Sequence, residues 1–177
     1  MEAPFRQWGL DFIGGIHPQS SAQHKWILTA IDYFTKWIEA VPTKKAKDDV
    51  VIHFLEDNIL SRFGCPIKII TDNAEAFNSK KIEKFCSDYN ITLGHSTSYY
   101  PQGNGLAESW NKSLVRLIKK LLQENKKARN KKIIHTLWAD RISPKRAIAT
   151  SPFQIVYGIE AIFPTALGLP MMKLLQE

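Results

Sequence analysis

Trp8-Gly9-Leu10-Asp11-Phe12-Ile13-Gly14-Gly15-Ile16 is an apolar, strand-like stretch with a single carboxylate near its middle. Two more strand-like runs follow, Lys25 to Tyr33 and Trp37 to Val41. The first gap holds the turn-like His17-Pro18-Gln19-Ser20-Ser21, and the second gap is shorter still. Links this short join antiparallel neighbours, because a parallel crossover needs about a dozen residues or more. A three-strand meander is expected, and Asp11 then sits in the body of a sheet.

Beyond the meander the periodicity changes. Val51, Phe54, Leu55 and Ile59 recur at helical spacing between Ala46 and Phe63, with Gly64 and Pro66 as stop signals. Ile67 to Thr71 reads as a short buried strand, Ile82, Phe85, Cys86 and Tyr89 as a helix, and Ile91 to Leu93 as a fifth strand. Leu114, Ile118, Leu121 and Leu122 share one face of a helix expected from Leu106 to about Lys127, and residues 133 to 142 form another. Ser151 and Pro152 are placed to cap and open a last one. The fold class is therefore α/β, a mixed sheet with helices packed on it. Residues 1–160 are expected to form one domain and 161–177, with Pro164, Gly168 and Pro170, a loosely held tail.

Composition excludes several alternatives. An apolar fraction of 44% and an aromatic fraction of 11% argue against disorder or a fibrous repeat. No apolar run approaches the roughly 20 residues that cross a bilayer, so no membrane span is expected. Met1 to Arg6 lacks the features of a secretory signal, which points to an intracellular address. Cys65 and Cys86 lack the further pair that a zinc site needs and are expected as buried thiols. Of the net charge of +7, the segment Lys112 to Arg146 contributes +10, from twelve basic and two acidic residues, leaving −3 elsewhere. Concentrated basicity suits a polyanion and equally suits a solvated helix face. Lys126 to Lys132 fits a nuclear localisation signal on the same terms, so a nuclear address is expected.

Three acids stand out by position. Asp11 lies in an apolar strand, where burying its charge costs several kcal/mol unless it is paired or bound to a cation. Asp72 ends the strand Ile67 to Thr71, and Glu108 stands in the first turn of a helix after the glycine-punctuated Tyr100-Pro101-Gln102-Gly103-Asn104-Gly105. Singly, each has a structural explanation: a buried ion pair for Asp11, a turn or cap for Asp72, a favourable helix N-terminus for Glu108. Jointly, three carboxylates converging from two strands and a helix supply the hard oxygen ligands that two-magnesium phosphodiester chemistry requires.

Gly9-Leu10-Asp11-Phe12-Ile13-Gly14, Thr71-Asp72-Asn73 with Phe77, and Tyr100 through Glu108 resemble the three signature blocks of the retroviral and retrotransposon integrase catalytic core. Sixty residues separate the first pair of acids and thirty-five the second, an interval characteristic of that family. The similarity runs from about Pro4 to the block Ser151 to Gly158, which looks like plant gypsy-type LTR retrotransposons.

The resemblance implies a ribonuclease H-like fold, with a five-stranded mixed sheet of three antiparallel strands and then two parallel ones, flanked by helices. It also implies an integrase-type polynucleotidyl transferase and endonuclease that processes 3′ ends and transfers strands, inserting element DNA into target DNA. Asp11, Asp72 and Glu108 match the catalytic, metal-binding acids, holding two Mg2+ or Mn2+ ions when DNA is bound. Asn111 and Lys112 match a DNA-contacting pair, Arg116 and Lys119 extend that helix face, and Tyr100 and Gln102 fall in the active-site loop. Implied partners are DNA and further copies of the chain. The family commonly has glycine where Ala74 stands, and a positive φ there would strain alanine. The alternatives are a ribonuclease H-like nuclease that uses water, and a defective or domesticated nucleic-acid-binding domain.

Overall fold

The computed structural model describes residues 3–14, 23–95 and 129–162, with the backbone alone for 129–132. The meander is present as β1 (Gln7–Ile13), β2 (Trp26–Asp32) and β3 (Ile38–Thr43), joined antiparallel. β4 (Lys68–Thr71) lies parallel to β1 on its other side, and β5 (Thr92–His95) lies parallel to β4. The sheet order is β3-β2-β1-β4-β5, which puts β1 at the centre. This mixed sheet with flanking helices is the expected architecture.

Helical spacing in the sequence becomes α1 (Asp48–Phe54), which passes into a π-helical segment, Leu55–Leu60, and ends in the single turn α2 (Ser61–Phe63). The π segment was not expected from the sequence. Its wider turn keeps Leu55 and Ile59 both in the core. Gly64 then stops the helix at a φ of 84°, a conformation that favours glycine. α3 (Lys80–Asp88) starts on Ser79, whose hydroxyl accepts from the Ile82 amide at 3.3 Å, and it buries Ile82, Phe85 and Cys86. α4 (Arg129–Ile142) is followed by α5 (Pro152–Tyr157), capped by Ser151 and closed by Gly158 at φ 72°. No helix among the described residues is long and apolar enough to cross a membrane.

Strand alternation sorts the core into two layers. Trp8 and Leu10 of β1 join Leu28, Ala30 and Ile69 under α1, the π segment and α3. Ile13 joins Ile27, Ile31, Ile38 and Ala40 on the opposite face, covered by Ile133 and Leu137 of α4. Trp8 and Leu28 are fully buried, and burying a side chain of this class contributes about 1.5–3 kcal/mol. At the β3 edge, Glu39 binds Arg62 at 2.8 Å and Arg141 at 2.9 Å, and accepts from the Trp37 indole N–H at 2.8 Å. The two arginines come from opposite helix layers, so this carboxylate ties both layers to the edge strand.

Several boundaries differ from the sequence reading. β1 ends at Ile13, short of Ile16, and β3 runs on to Thr43. The fifth strand is displaced to Thr92–His95, because Asn90 at φ 54° still belongs to the turn. Cys86 is buried as expected, whereas Cys65 is exposed, standing in the turn between α2 and β4. The helix expected from Leu106 to Lys127 and the tail from 163 onward lie outside the described residues.

Candidate active site

The site is built from the ends of the central strands. Asp11 is half-buried on β1, opposite Thr29 of β2, whose hydroxyl donates to the Asp11 carbonyl at 3.1 Å. It alternates with Leu10 and Phe12 and so shares a face with Ile13, on the α4 side of the sheet. Asp72 is the first residue past β4 and is exposed. The β1–β4 register pairs Gly9 with Ile70, and two residues further along each chain stand Asp11 and Asp72. Neighbouring strands lie about 4.8 Å apart, so the central pair of parallel strands delivers the two acids at one level.

The turn after Asp72 is fixed from within. Asp72 Oδ1 accepts from the Ala74 amide at 3.0 Å, a local turn that aspartate favours. Ala74 does not occur among the residues with positive φ, so alanine there carries no left-handed strain. Phe77 is fully buried, and its ring centroid lies 5.2 Å from that of Phe12. This contact locks the segment after one acid to the residue beside the other. Glu75 is exposed.

On the far side, His95 ends β5 opposite Thr71, with Nδ1 3.3 Å from the threonine hydroxyl. The sequence carries no signal for His95, because the apolar pattern ends the fifth strand at Leu93 and the pairing extends it to His95. Gly14 follows β1 with the Trp26 indole against it, so close that a Cβ would fall 1.6 Å from the ring. That contact accounts for glycine at the end of the first block.

The strand register thus sets Asp11 and Asp72 at one level of neighbouring strands. Glu108, Asn111, Lys112, Arg116, Lys119, Tyr100 and Gln102 lie outside the described residues. Among the described residues, no three His, Cys, Asp or Glu side chains are grouped to hold a metal ion by themselves. Asp11 and Asp72 are nonetheless hard oxygen donors at one sheet end, of the kind that magnesium or manganese takes.

Residues 1–101 match the model of the Integrase core domain family, more than half of the chain. The chain belongs to the integrase core domain family. This integrase core is 34% identical over 158 residues to the Gag-Pol polyprotein of Avian reticuloendotheliosis virus, covering 89% of the chain and 14% of the polyprotein. The chain therefore spans a small part of the curated relative it resembles. The HTLV-2 integrase catalytic core domain in complex with magnesium, in its trimeric form, superposes with a TM-score of 0.63 at 26% identity, over 86% of this chain and 96% of that one. A chain of the simian T-cell lymphotropic virus intasome in complex with PP2A regulatory subunit B56 gamma reaches a TM-score of 0.70 at 21% identity, over 91% of this chain and 57% of that one, a likeness of fold alone. The integrase core is thus a five-stranded mixed sheet of the ribonuclease H-like kind. Its family comprises polynucleotidyl transferases that use divalent metal.

Proposed function

We propose that this integrase core carries out metal-dependent phosphoryl transfer on DNA, processing the 3′ ends of a retroelement and joining them to target DNA. The observation that carries the reading is the level placement of Asp11 and Asp72 on neighbouring parallel strands, in a chain of the integrase core family. Asp11, Asp72 and Glu108 would hold Mg2+ or Mn2+, two ions when DNA is present. Bound there, the ions supply charge neutralisation at the scissile phosphate and activation of the attacking hydroxyl.

The protein's own groups divide the remaining work. β1 gives Asp11 a rigid base in the middle of the sheet. The Asp72–Ala74 turn and the Phe12–Phe77 contact hold the second acid in register with it. Asn111, Lys112, Arg116 and Lys119 are assigned to DNA near the element end, and Tyr100 and Gln102 to the loop beside the reacting phosphate. Resemblance of Ser151 to Gly158 to gypsy-type blocks supports a plant LTR retrotransposon origin. The trimeric and dimeric forms of the HTLV-2 core support assembly into homo-oligomers.

The test is incubation with DNA bearing the element's ends and labelled 3′-hydroxyls, with magnesium or manganese, against an Asp72→Asn control. Joined product that depends on metal and on Asp72 is expected. Nicking without joining would replace the reading with a water-using nuclease. Salt-sensitive binding with no product in either metal would replace it with a noncatalytic DNA-binding domain.

A further inference from the structure

The strongest concentration of basic charge in 112–146 lies mostly outside the described residues, but a second one is described, and the sequence alone does not assemble it. β2 and β3 pair Trp26 with Thr43, and the Lys25 amide donates to the Thr43 carbonyl at 3.1 Å. Lys25 therefore stands beside Lys44, nineteen residues later, with Lys45 and Lys47 next in the chain. All four are exposed. His24 senses the cluster: its imidazole is held below the ordinary histidine range, by burial first and then by the positive charge of Lys44.

Nearby acids do not neutralise this cluster. Asp49, at the start of α1, is bound by Lys81 at 2.7 Å, and Asp48 lies in the field of the same lysine. Glu39, the acid on β3, is buried against Arg62 and Arg141. Among the described residues, none of the four lysines has a carboxylate within ion-pair distance.

The location gives the charge a purpose. β1 leaves the sheet in the direction in which β2 begins and β3 ends, so the lysines rim the end of the sheet nearer to Asp11 and Asp72. Ile13 pairs with Ile27, so Lys25 and Lys44 stand about four residues beyond the level of Asp11, roughly 13 Å along the strands and one or two strands to the side. Double-helical DNA rises about 3.4 Å per base pair, so that distance corresponds to about four or five phosphates of one strand.

We propose that Lys25, Lys44, Lys45 and Lys47 form a phosphate-backbone track for duplex DNA, holding the stretch that flanks the scissile position. This rests on the functional reading above and extends it to a surface on the β3 side of the site. A duplex is favoured over an acidic peptide because the apolar groove next to the lysines, lined by Val41, Val50 and Phe54, is rimmed by Asp49 and Asp57, which repel an acidic chain that would seat its side chains there. Lysine meets phosphates as a point charge, and contacts to the phosphate backbone carry no sequence information, so the track binds DNA without regard to sequence.

The experiment measures binding of the full chain to a labelled blunt duplex of arbitrary sequence by fluorescence anisotropy, with EDTA and no divalent metal. Salt is varied over about 50–200 mM, where each phosphate contact contributes about −0.9 to the slope of log affinity against log salt. Changing Lys25, Lys44, Lys45 and Lys47 together to glutamine is expected to make the slope shallower by about two to four and to lower affinity at the low-salt end about tenfold or more. The same four changed to arginine should keep the slope. Arg6→Gln with Lys68→Gln, at the opposite end of the sheet where β1 and β4 begin, should also leave it unchanged. An unaltered slope in the glutamine variant, or an equal loss in the Arg6 and Lys68 control, overturns the track. Thermal melting of each variant reads folding separately. Because metal is absent, the result stands apart from catalysis: Asp72-dependent joining with an unaltered slope defeats the track alone, and a reduced slope without joining retains the track while defeating the enzymatic reading.

Discussion

Glu39 and Asp72 are acids at the margins of one five-stranded sheet, and their surroundings differ in everything that decides what a carboxylate does. Glu39 sits on the edge strand with its side chain 5% exposed, bound by Arg62, Arg141 and the Trp37 indole. Arg141 also donates twice to the Ile38 carbonyl and lies 4.4 Å from the Trp37 ring centroid. Asp72 is exposed and accepts a hydrogen bond from its own turn. A carboxylate whose lone pairs are saturated by fixed cations is structural, because another cation would have to displace them. One that leaves a strand end with a single local bond keeps its oxygens for a ligand. Charge alone distinguishes nothing here; the number and rigidity of donors do.

The largest effect expected from this contrast is at Glu39. Glu39→Ala leaves Arg141, only 18% exposed at its side chain, without its counter-charge. Removing one partner of a buried pair costs about 3–5 kcal/mol. Arg62, at 42% exposure, adds little because water screens it. Urea denaturation of the two proteins measures the difference, and a loss below about 1 kcal/mol would show that Glu39 is not the tie between the two helix layers.

Asp72→Asn should behave in the opposite way. Asparagine can still accept from the Ala74 amide, so stability without metal should change by no more than about 0.5 kcal/mol. The consequence is expected on adding magnesium or manganese: wild-type Tm rises, since a ligand that binds only the folded state stabilises it, by about 2.7 kcal/mol at a hundredfold excess over Kd. The variant should lose most of that rise. An equal rise in both would place the ion elsewhere and remove the distinction drawn between Asp72 and Glu39.

Local periodicity made much of this molecule readable. The apolar run around Asp11, the stop at Gly64 and the Ser151–Pro152 helix start each depend on neighbours a few residues away, and each is found. Asp11 and Asp72 were identified by type and interval, but their common level depends on the β1–β4 register, which pairs residues about sixty apart. Glu39 gave no signal, since its partners come from positions 62 and 141, on two different helix layers. The lysine track was hidden in the same way, because Lys25 and Lys44 become neighbours only through strand pairing. The π segment at Leu55–Leu60 has no local signature either, as its apolar residues also satisfy an ordinary helical period.

Asp32 supplies the intermediate case and the smallest expected effect. It is buried like Glu39, yet what it accepts are hydrogen bonds, from the Phe5 amide at 3.0 Å, the Thr35 amide at 2.8 Å and the Thr35 hydroxyl at 2.6 Å. Burial pushes its carboxyl above the ordinary aspartate value of 3.8, while the bonds from Thr35, Phe5 and Phe34 pull it back in part. The folded state consequently holds this proton more tightly than the unfolded chain does. In the window between 3.8 and the raised folded value, stability contributed by Asp32 grows as pH falls, and above that window the cost of the buried charge is present in full. Asp32→Asn removes the titration, so the stability difference between wild type and variant should move in favour of wild type as pH is lowered from neutral. Urea midpoints taken in pH steps give that difference, and carboxyl NMR titration gives the midpoint directly. A difference moving the other way would mean a depressed carboxyl, and donors without charge would then serve a buried acid as well as the two arginines serve Glu39.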